Sequence, residues 1–299
     1  MTETLNALFI PCYVDGLPQD SGSVTWRARW PAKHWPTAGT LNGFQPGIAD
    51  VYDGTQLPSD YQVFVFQKAY RSSAAQQLIS NLATIRDHGD GKRIVLVLDM
   101  CDPDWMDENT RDRLLQVMPW FDLATGSTMP LVNWMGENVP AYLVNDGIDL
   151  SAISHARTAS YTRRPSVCWF GYEGNMNIDS ITPDLVANRI DVDVIYVSKP
   201  VPFDLFVETI SRYDIMLNPR STTGAHPYKS ENKSDAAWMA GVAVVRDPGD
   251  MQRLMDPEIR AAEISAHQKS IAVSRNARLS AGQLWRAIVG EINHGSGND

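Results

Sequence analysis

Two lysines and an asparagine between positions 229 and 233 have the clearest potential for chemistry. Lys229, Asn232 and Lys233 lie where a polar loop gives way to a predicted helix of small residues. The first N–H groups of a helix lack partners within it and carry partial positive charge, so two lysines there favour an anion. A solvated loop with two surface lysines fits the same spacing, and the spacing alone does not separate these two interpretations.

The elements around these lysines follow the order strand, loop, helix, glycine and strand. Residues 214–217 and 242–245 are short apolar runs, and Gly241 follows the small-residue helix that includes Ala236 and Ala240. This pattern predicts a βαβ unit, in which ligands bind beyond the carboxyl ends of the strands. The lysines are therefore predicted to lie where such a fold places its ligands.

A second candidate group follows the most apolar strand predicted in the chain. Residues 93–98 form a run typical of a strand buried on both faces, and Asp99, Asp102 and Asp104 come directly after it. Carboxylates at this position open onto the crevice of a parallel sheet, so we predict functional roles for Asp99 and Asp102. The alternative is that Asp102 or Asp104 caps the following helix, and we predict this role for Asp104.

A polar loop of small residues follows the first predicted strand, at 5–14. The first βα turn of a nucleotide-binding domain begins with a strand that is followed by a glycine loop. Arg27 and Arg29 come next, and they fit both an anion-facing segment and an amphipathic surface segment. The candidate residues of this loop are Ser21, Gly22, Ser23 and Arg27.

A second glycine loop follows the strand predicted at 166–170. Its candidate residues are Gly171, Gly174 and Asn175. Many strand-end turns have this Gly-x-x-Gly pattern, so the loop indicates a phosphate site only in combination with the lysine segment. Together they predict backbone N–H groups that a phosphate can approach closely.

The run Lys-Ser-Glu-Asn-Lys at 229–233, followed by Trp-Met-Ala-Gly-Val-Ala-Val-Val at 238–245, resembles the donor-site segment of GT-B glycosyltransferases. The resemblance is greatest to glycosyltransferase family 4, in which this segment holds the diphosphate and ribose of a nucleotide sugar. Residues 140–149 also resemble the segment that closes the family's first domain.

The chain departs from the family pattern at two positions. The two glutamates of the family fall on Tyr228 and Ala236. Glu231 and Asp235 are the nearest carboxylates, and the sequence leaves open whether they substitute. The diphosphate part of the resemblance is therefore better supported than the sugar part.

The resemblance implies an α/β protein of GT-B type, with two Rossmann-like parallel-sheet domains facing a central cleft. We expect residues 1–155 to form the acceptor-side domain and 165–299 the nucleotide-sugar-binding domain. The implied activity is transfer of a sugar from a donor such as a UDP-sugar to an acceptor hydroxyl in the cleft, independent of metal. The donor is then a co-substrate, and no cofactor is expected.

The expected roles follow from this assignment. Asp99 and Asp102 would serve catalysis, and the 21–27 loop would lie on the acceptor side. The acceptor is open between a glycan and a hydroxymethylated base in phage DNA. A non-catalytic nucleotide- or phosphosugar-binding module is the alternative to an enzyme. The donor-binding residues would be Gly171, Gly174, Asn175, Arg220, Lys229, Asn232 and Lys233.

Composition bounds these expectations. The 299 residues have a net charge of −9, which argues against a general nucleic-acid surface. Three isolated cysteines and six histidines without ligand spacing predict neither a disulfide framework nor a metal site, and fit a reducing cytoplasm. The sequence shows no signal peptide, no apolar run long enough to span a membrane and no Gly-x-Ser-x-Gly elbow.

Overall fold

The computed structural model describes residues 2–14, 17–18, 21–89, 93–153, 157, 162, 164–173 and 178–295. The chain divides into two compact units. The first comprises Met1–Gly147, Tyr228–Ser230 and Ala277–Asp299, and the second comprises Ile148–Pro227 and Glu231–Asn276. In chain order, the second unit is thus inserted between segments of the first.

A six-stranded parallel sheet forms the centre of the first unit. Its order is β2–β1–β3–β4–β5–β6. In register, Gln67 lies beside Asp99 and Asp99 beside Thr125 at the carboxyl edge of the sheet. The strands are β1 (Glu3–Ile10), β2 (Phe44–Val51), β3 (Val63–Gln67), β4 (Val95–Met100), β5 (Leu123–Gly126) and β6 (Ala141–Leu143).

Both faces of this sheet are buried, because alternate residues of the central strands enter two different cores. Phe64 and Leu98 belong to one core, and Val65 and Val97 to the other. Helices α3 (Ser73–His88), α4 (Glu108–Val117) and α5 (Met129–Met135) cover the first core. The second core is covered by α1 (Gly22–Val24), α2 (Trp30–His34) and the last helix of the chain.

The second unit has a four-stranded parallel sheet of order β8–β7–β9–β10. Its strands are β7 (Val167–Gly171), β8 (Val192–Tyr196), β9 (Ile215–Leu217) and β10 (Ala243–Val245). Its helices are α6 (Thr182–Ala187), α7 (Phe203–Ile210), α8 (Asn232–Met239), α9 (Asp250–Leu254) and α10 (Pro257–Ser274). The predicted α/β class with parallel sheets is confirmed, as are the strands predicted at 166–170, 214–217 and 242–245.

The last helix, α11 (Ala277–Gly295), differs from its predicted placement in the second domain. It packs on the first sheet, where Trp285 meets Trp35 edge to face with ring centroids 5.1 Å apart. Its periodic apolar face identifies a helix that needs a partner, but periodicity does not specify which sheet that partner is. The predicted domain boundary stays a prediction, because most of residues 154–163 lie outside the described part of the chain.

Within the described residues, no helix is both long enough and apolar enough to cross a membrane.

Candidate functional site

Arg27 occupies the interior of the first unit. Residues Thr25–Arg29 form a π-helical turn between α1 and α2, and this wider turn directs Arg27 into the sheet, where it is 4% exposed. Its Nε donates to Asp99 Oδ2 at 3.0 Å, and its Nη2 pairs with Asp99 Oδ1. Its Nη1 donates to the Val144 carbonyl at 2.5 Å and to Asp146 Oδ1 at 3.1 Å.

Asp99 is therefore part of a buried ion-pair network. Besides Arg27, it accepts a hydrogen bond of 2.6 Å from the Thr125 hydroxyl, and it is 3% exposed. The network continues to Ser230, which donates to Asp146 Oδ2. Burial raises the pKa of Asp146, and the Arg27 guanidinium and the Ser230 hydroxyl only partly oppose it. Both oxygens of Asp99 thus have protein partners.

Asp102 has a different environment. Its side chain is 37% exposed, and Lys68 Nζ donates to its Oδ2 at 2.7 Å. Among the described residues, no hydrogen bond is made to its Oδ1. Burial would raise the pKa of Asp102, but the positive charges of Lys68, Lys229 and Arg71 outweigh burial and lower it. The ionised form of Asp102 is therefore favoured, and within the described part of the chain only its Oδ2 has a hydrogen-bond partner.

An aromatic cluster forms around Trp105, which follows Asp102 by three positions in the chain. Trp105 stacks on Trp134 with ring centroids 3.8 Å apart and planes 6° apart. Tyr228 meets Trp105 at 90°, and the Tyr228 carbonyl accepts a 3.0 Å hydrogen bond from Thr128. These contacts hold residues 228–230 on the first unit, which explains why the charge of Lys229 acts on Asp102.

The loop predicted for the acceptor side begins the first helical segment. Ser21 is its N-cap and accepts a 3.4 Å hydrogen bond from Val24 N, and the Ser21 and Ser23 hydroxyls lie 3.1 Å apart. Among the described residues, no atom outside the adjoining segment of the chain lies within 4 Å of the position that a Cβ on Gly22 would take. The described residues therefore leave space beside the Gly22 backbone.

In the second unit, the structure brings Lys233 to the end of β7. Its Nζ donates to the Phe170 carbonyl at 3.4 Å. A Cβ on Gly171 would lie 3.4 Å from this Nζ and 2.9 Å from the Trp169 ring. Gly171 therefore allows the close approach of the lysine to the strand. The predicted residues Gly174 and Asn175 lie outside the described residues.

The remaining donor-site candidates surround the start of α8. Asn232 is its first residue. Glu231 precedes it, with Oε2 at 3.6 Å from a guanidinium nitrogen of Arg220 and 3.6 Å from one of Arg246. Arg220 thus lies beside the helix start, as predicted for an anion site, although Glu231 offsets part of its charge.

The two positions where the family has glutamate contribute no carboxylate here. Ala236 is buried in α8, and Tyr228 packs on Trp105. Asp235 is also buried and pairs with Arg275 at 3.1 Å. Asp235 therefore lies in an internal ion pair of the second unit.

Several residues without a strong sequence signal lie near these groups. Lys68, Trp105 and Tyr196 are the main ones. Tyr196 ends β8 with 54% exposure, and its ring is 5.8 Å from that of Trp169, edge to face. Its position at the carboxyl end of a strand was the available signal, because ligands bind at that edge of parallel sheets.

Comparison with solved structures shows which fold this is. An alpha-glucosyltransferase in complex with UDP and a 13-mer DNA containing a HMU base aligns with a TM-score of 0.60 and 9% identity, over 96% of this chain and 100% of its own. An alpha-glucosyltransferase in complex with UDP and a 13-mer DNA containing a central A:G mismatch aligns with a TM-score of 0.53 and 7% identity, over 96% and 99%. The parallel-sheet architecture is thus that of GT-B glycosyltransferases.

A trehalose 6-phosphate synthase from Burkholderia multivorans aligns with a TM-score of 0.49 and 9% identity, over 99% of this chain and 100% of its own. Neither a scan of family models nor a search of curated proteins finds a match. The specific resemblance to glycosyltransferase family 4 therefore stays a prediction.

Proposed function

We propose that this protein is a glycosyltransferase that moves a sugar from a nucleotide-sugar donor to an acceptor hydroxyl. The observation that best supports this function is the position of Lys233, whose amine lies against the end of β7 at the start of α8. A lysine at the start of a helix favours a bound phosphate, and the fold that carries it here is that of enzymes solved with UDP. A UDP-sugar is accordingly the donor that we propose.

The chemistry follows from charge that develops on the leaving group. When the glycosidic bond of the donor breaks, the nucleotide diphosphate gains negative charge. Cations and helix N–H groups held in place beforehand stabilise that charge without reorganising. We propose that Lys233, Asn232 and Arg220 supply this stabilisation without a metal ion, with the Gly171 loop admitting the phosphates.

On the acceptor side, we propose that Asp102 receives the proton of the attacking hydroxyl. It is ionised, its Oδ1 is available, and general bases typically contribute ~10²–10⁴-fold in rate. Asp99 is the less suitable general base of the two predicted carboxylates, since both its oxygens already accept hydrogen bonds from Arg27 or Thr125. We therefore propose that Asp99 and Arg27 stabilise the edge of the sheet that bears Asp102.

The acceptor that we propose is a hydroxyl of a glycan or of a hydroxymethylated base in phage DNA. The DNA in the two similar glucosyltransferase structures motivates the second possibility, and the net charge of −9 opposes it. Either acceptor fits a cytoplasmic enzyme, which is the location that we propose.

The alternative is a nucleotide- or phosphosugar-binding module without catalysis. The absence of carboxylates at Tyr228 and Ala236 favours it. The available Oδ1 of Asp102 favours an enzyme. Incubation with UDP-sugars separates the two possibilities, because an enzyme should hydrolyse one of them slowly and a module should only bind.

Calorimetry on Lys233→Ala tests the donor site. A charge-assisted hydrogen bond contributes ~1.5–3 kcal/mol, so UDP should bind about tenfold more weakly or worse, taking ~1.4 kcal/mol per decade. Uridine, which has no phosphates, should bind the variant and the wild type alike. The matched control is Lys269→Ala, an exposed lysine on α10, which should bind UDP normally. Undiminished UDP affinity in Lys233→Ala would move the donor site elsewhere.

A further inference from the structure

Lys68 has an unusual backbone conformation for a residue with a side chain. Its φ of 52° and ψ of 20° are left-handed, a region that glycine and asparagine enter far more easily than lysine. It follows β3 directly, and its N–H donates to the Asp99 carbonyl at 3.1 Å. The sheet edge therefore holds Lys68 in this conformation, which is the kind of strain that accumulates at functional sites.

This conformation places the Lys68 ammonium between two carboxylates. The side chain is 10% exposed, and Nζ is 2.7 Å from Asp102 Oδ2 and 3.5 Å from Asp104 Oδ1. Asp104 has further partners, because Arg71 pairs with it at 2.8 Å and the Tyr70 hydroxyl donates to it. Within the described residues, the other hydrogen-bond contact of Asp102 Oδ2 is the Cys101 thiol, at 3.7 Å. Lys68 is thus the principal partner of Asp102 among the described residues.

We infer that Lys68 is the positioning residue of the acceptor site: its ammonium fixes Asp102 Oδ2 and so presents Oδ1 to the acceptor hydroxyl. This inference rests on the proposed function. In the step that it serves, the acceptor O–H bond breaks and its proton passes to Oδ1. The acceptor oxygen forms a bond to the anomeric carbon, while the bond from that carbon to the diphosphate breaks and its electron pair leaves with the diphosphate.

The charges that face Asp102 define what loss of Lys68 should do. Lys68, Lys229 and Arg71 favour its ionised form, and burial opposes that form. Asp104 and Cys101 also face Lys68. Without the Lys68 charge, protonation of Asp102 should occur at higher pH, because its nearest cation is gone. The carboxylate should also lose its fixed orientation.

Two variants of Lys68 separate charge from backbone. Lys68→Asn removes the ammonium but tolerates the left-handed conformation, so the fold should persist. Lys68→Arg keeps a positive charge within reach of Asp102. The matched control is Lys33→Asn, at an exposed lysine of α2 in the same unit.

The experiment follows the Asp102 carboxyl carbon by ¹³C NMR titration, with the signal assigned by its loss in Asp102→Asn. In parallel, the pH–rate profile of UDP-glucose hydrolysis is measured. In Lys68→Asn, both the titration and the acid limb of the profile should move to higher pH, so that hydrolysis on the acid side falls below that of the wild type. Lys68→Arg should recover most of both effects, and Lys33→Asn should show neither.

Two results would overturn the inference. One is an Asp102 titration that is the same in Lys68→Asn and the wild type. The other is a titration that moves while the acid limb of hydrolysis stays in place, since Lys68 would then have a structural role only. If the wild type hydrolyses no UDP-glucose under any condition and does not bind UDP, the proposed function fails. The carboxyl titration alone then decides whether Lys68 controls Asp102.

Discussion

Replacement of Asp99 by asparagine tests whether this carboxylate is structural. The change removes one charge from a buried pair in which Arg27 donates through both Nε and Nη2. Removing one partner of a buried ion pair typically costs ~3–5 kcal/mol, because the other charge loses its compensation. Arg27 keeps Asp146 and the Val144 carbonyl, so we expect the lower end, about 3 kcal/mol.

Scanning calorimetry measures this loss directly. A change of 1 kcal/mol moves the melting temperature by ~2–4 °C for a protein of 150–250 residues, so Asp99→Asn should lower the transition of the first unit by about 6–12 °C. The control is Asp102→Asn, whose side chain is 37% exposed and whose partner Lys68 keeps Asp104 as a second carboxylate, so this variant should lose less stability than Asp99→Asn. It should melt above Asp99→Asn and lose ~10²-fold or more in turnover.

The opposite pattern would refute this reasoning. If Asp99→Asn melted like the wild type and lost turnover, Asp99 would be the catalytic carboxylate. A double-mutant cycle with Arg27→Met adds a second criterion, because two residues of one buried pair should show a coupling energy well above the ~0.3–0.5 kcal/mol of independent sites. Coupling near zero would remove the buried pair as an explanation.

Two further predictions concern the second unit. Gly171→Ala should lower the free energy of unfolding by ~1–3 kcal/mol and weaken UDP binding, because the added methyl group would come within 2.9 Å of the Trp169 ring. Chemical denaturation measures the first effect and calorimetry the second. Unchanged values in both would contradict the close packing. His267 stacks on Trp238 with ring centroids 3.6 Å apart, and burial lowers the pKa of His267. Below pH ~6.5 the unfolded state therefore binds more protons than the folded state, so the free energy of unfolding should rise with pH in that range. Urea unfolding of His267→Phe should show less of this rise, and an identical rise would assign it to another group.

Sequence patterns were sufficient for most of the second sheet. Strands β7, β9 and β10 are short apolar runs bounded by polar loops, and such runs in alternation with helices predict a parallel sheet. In the first unit, β2 and β5 are two of the strands that the sequence did not indicate. The first contains Pro46 and Gly47, which disfavour a central strand and are tolerated at the sheet edge that β2 occupies. The second is Leu-Ala-Thr-Gly, in which alanine and glycine disfavour a strand.

The position of the candidate carboxylates in the fold was predictable from sequence, but their hydrogen-bond partners were not. Carboxylates after the strand that became β4 were expected at the sheet edge, and both Asp99 and Asp102 lie there. The sequence does not indicate that the Arg27 guanidinium would be buried and pair with the Asp99 carboxylate, because this contact depends on a π-helical turn and on tertiary packing. The contact of Lys68 with Asp102 was not predictable for a similar reason, since the left-handed backbone conformation of Lys68 has no sequence signature.

The return of α11 to the first sheet has a consequence for synthesis on the ribosome. The core beneath β1 includes Leu284, Trp285 and Ile288, so it stays incomplete until those residues have left the exit tunnel. The inserted unit, residues 148–276, emerges earlier and can complete its own sheet first. The usual order, in which the N-terminal domain matures before the next one, would therefore be reversed. Until then, nascent chains would expose the apolar face around Trp35 to chaperones.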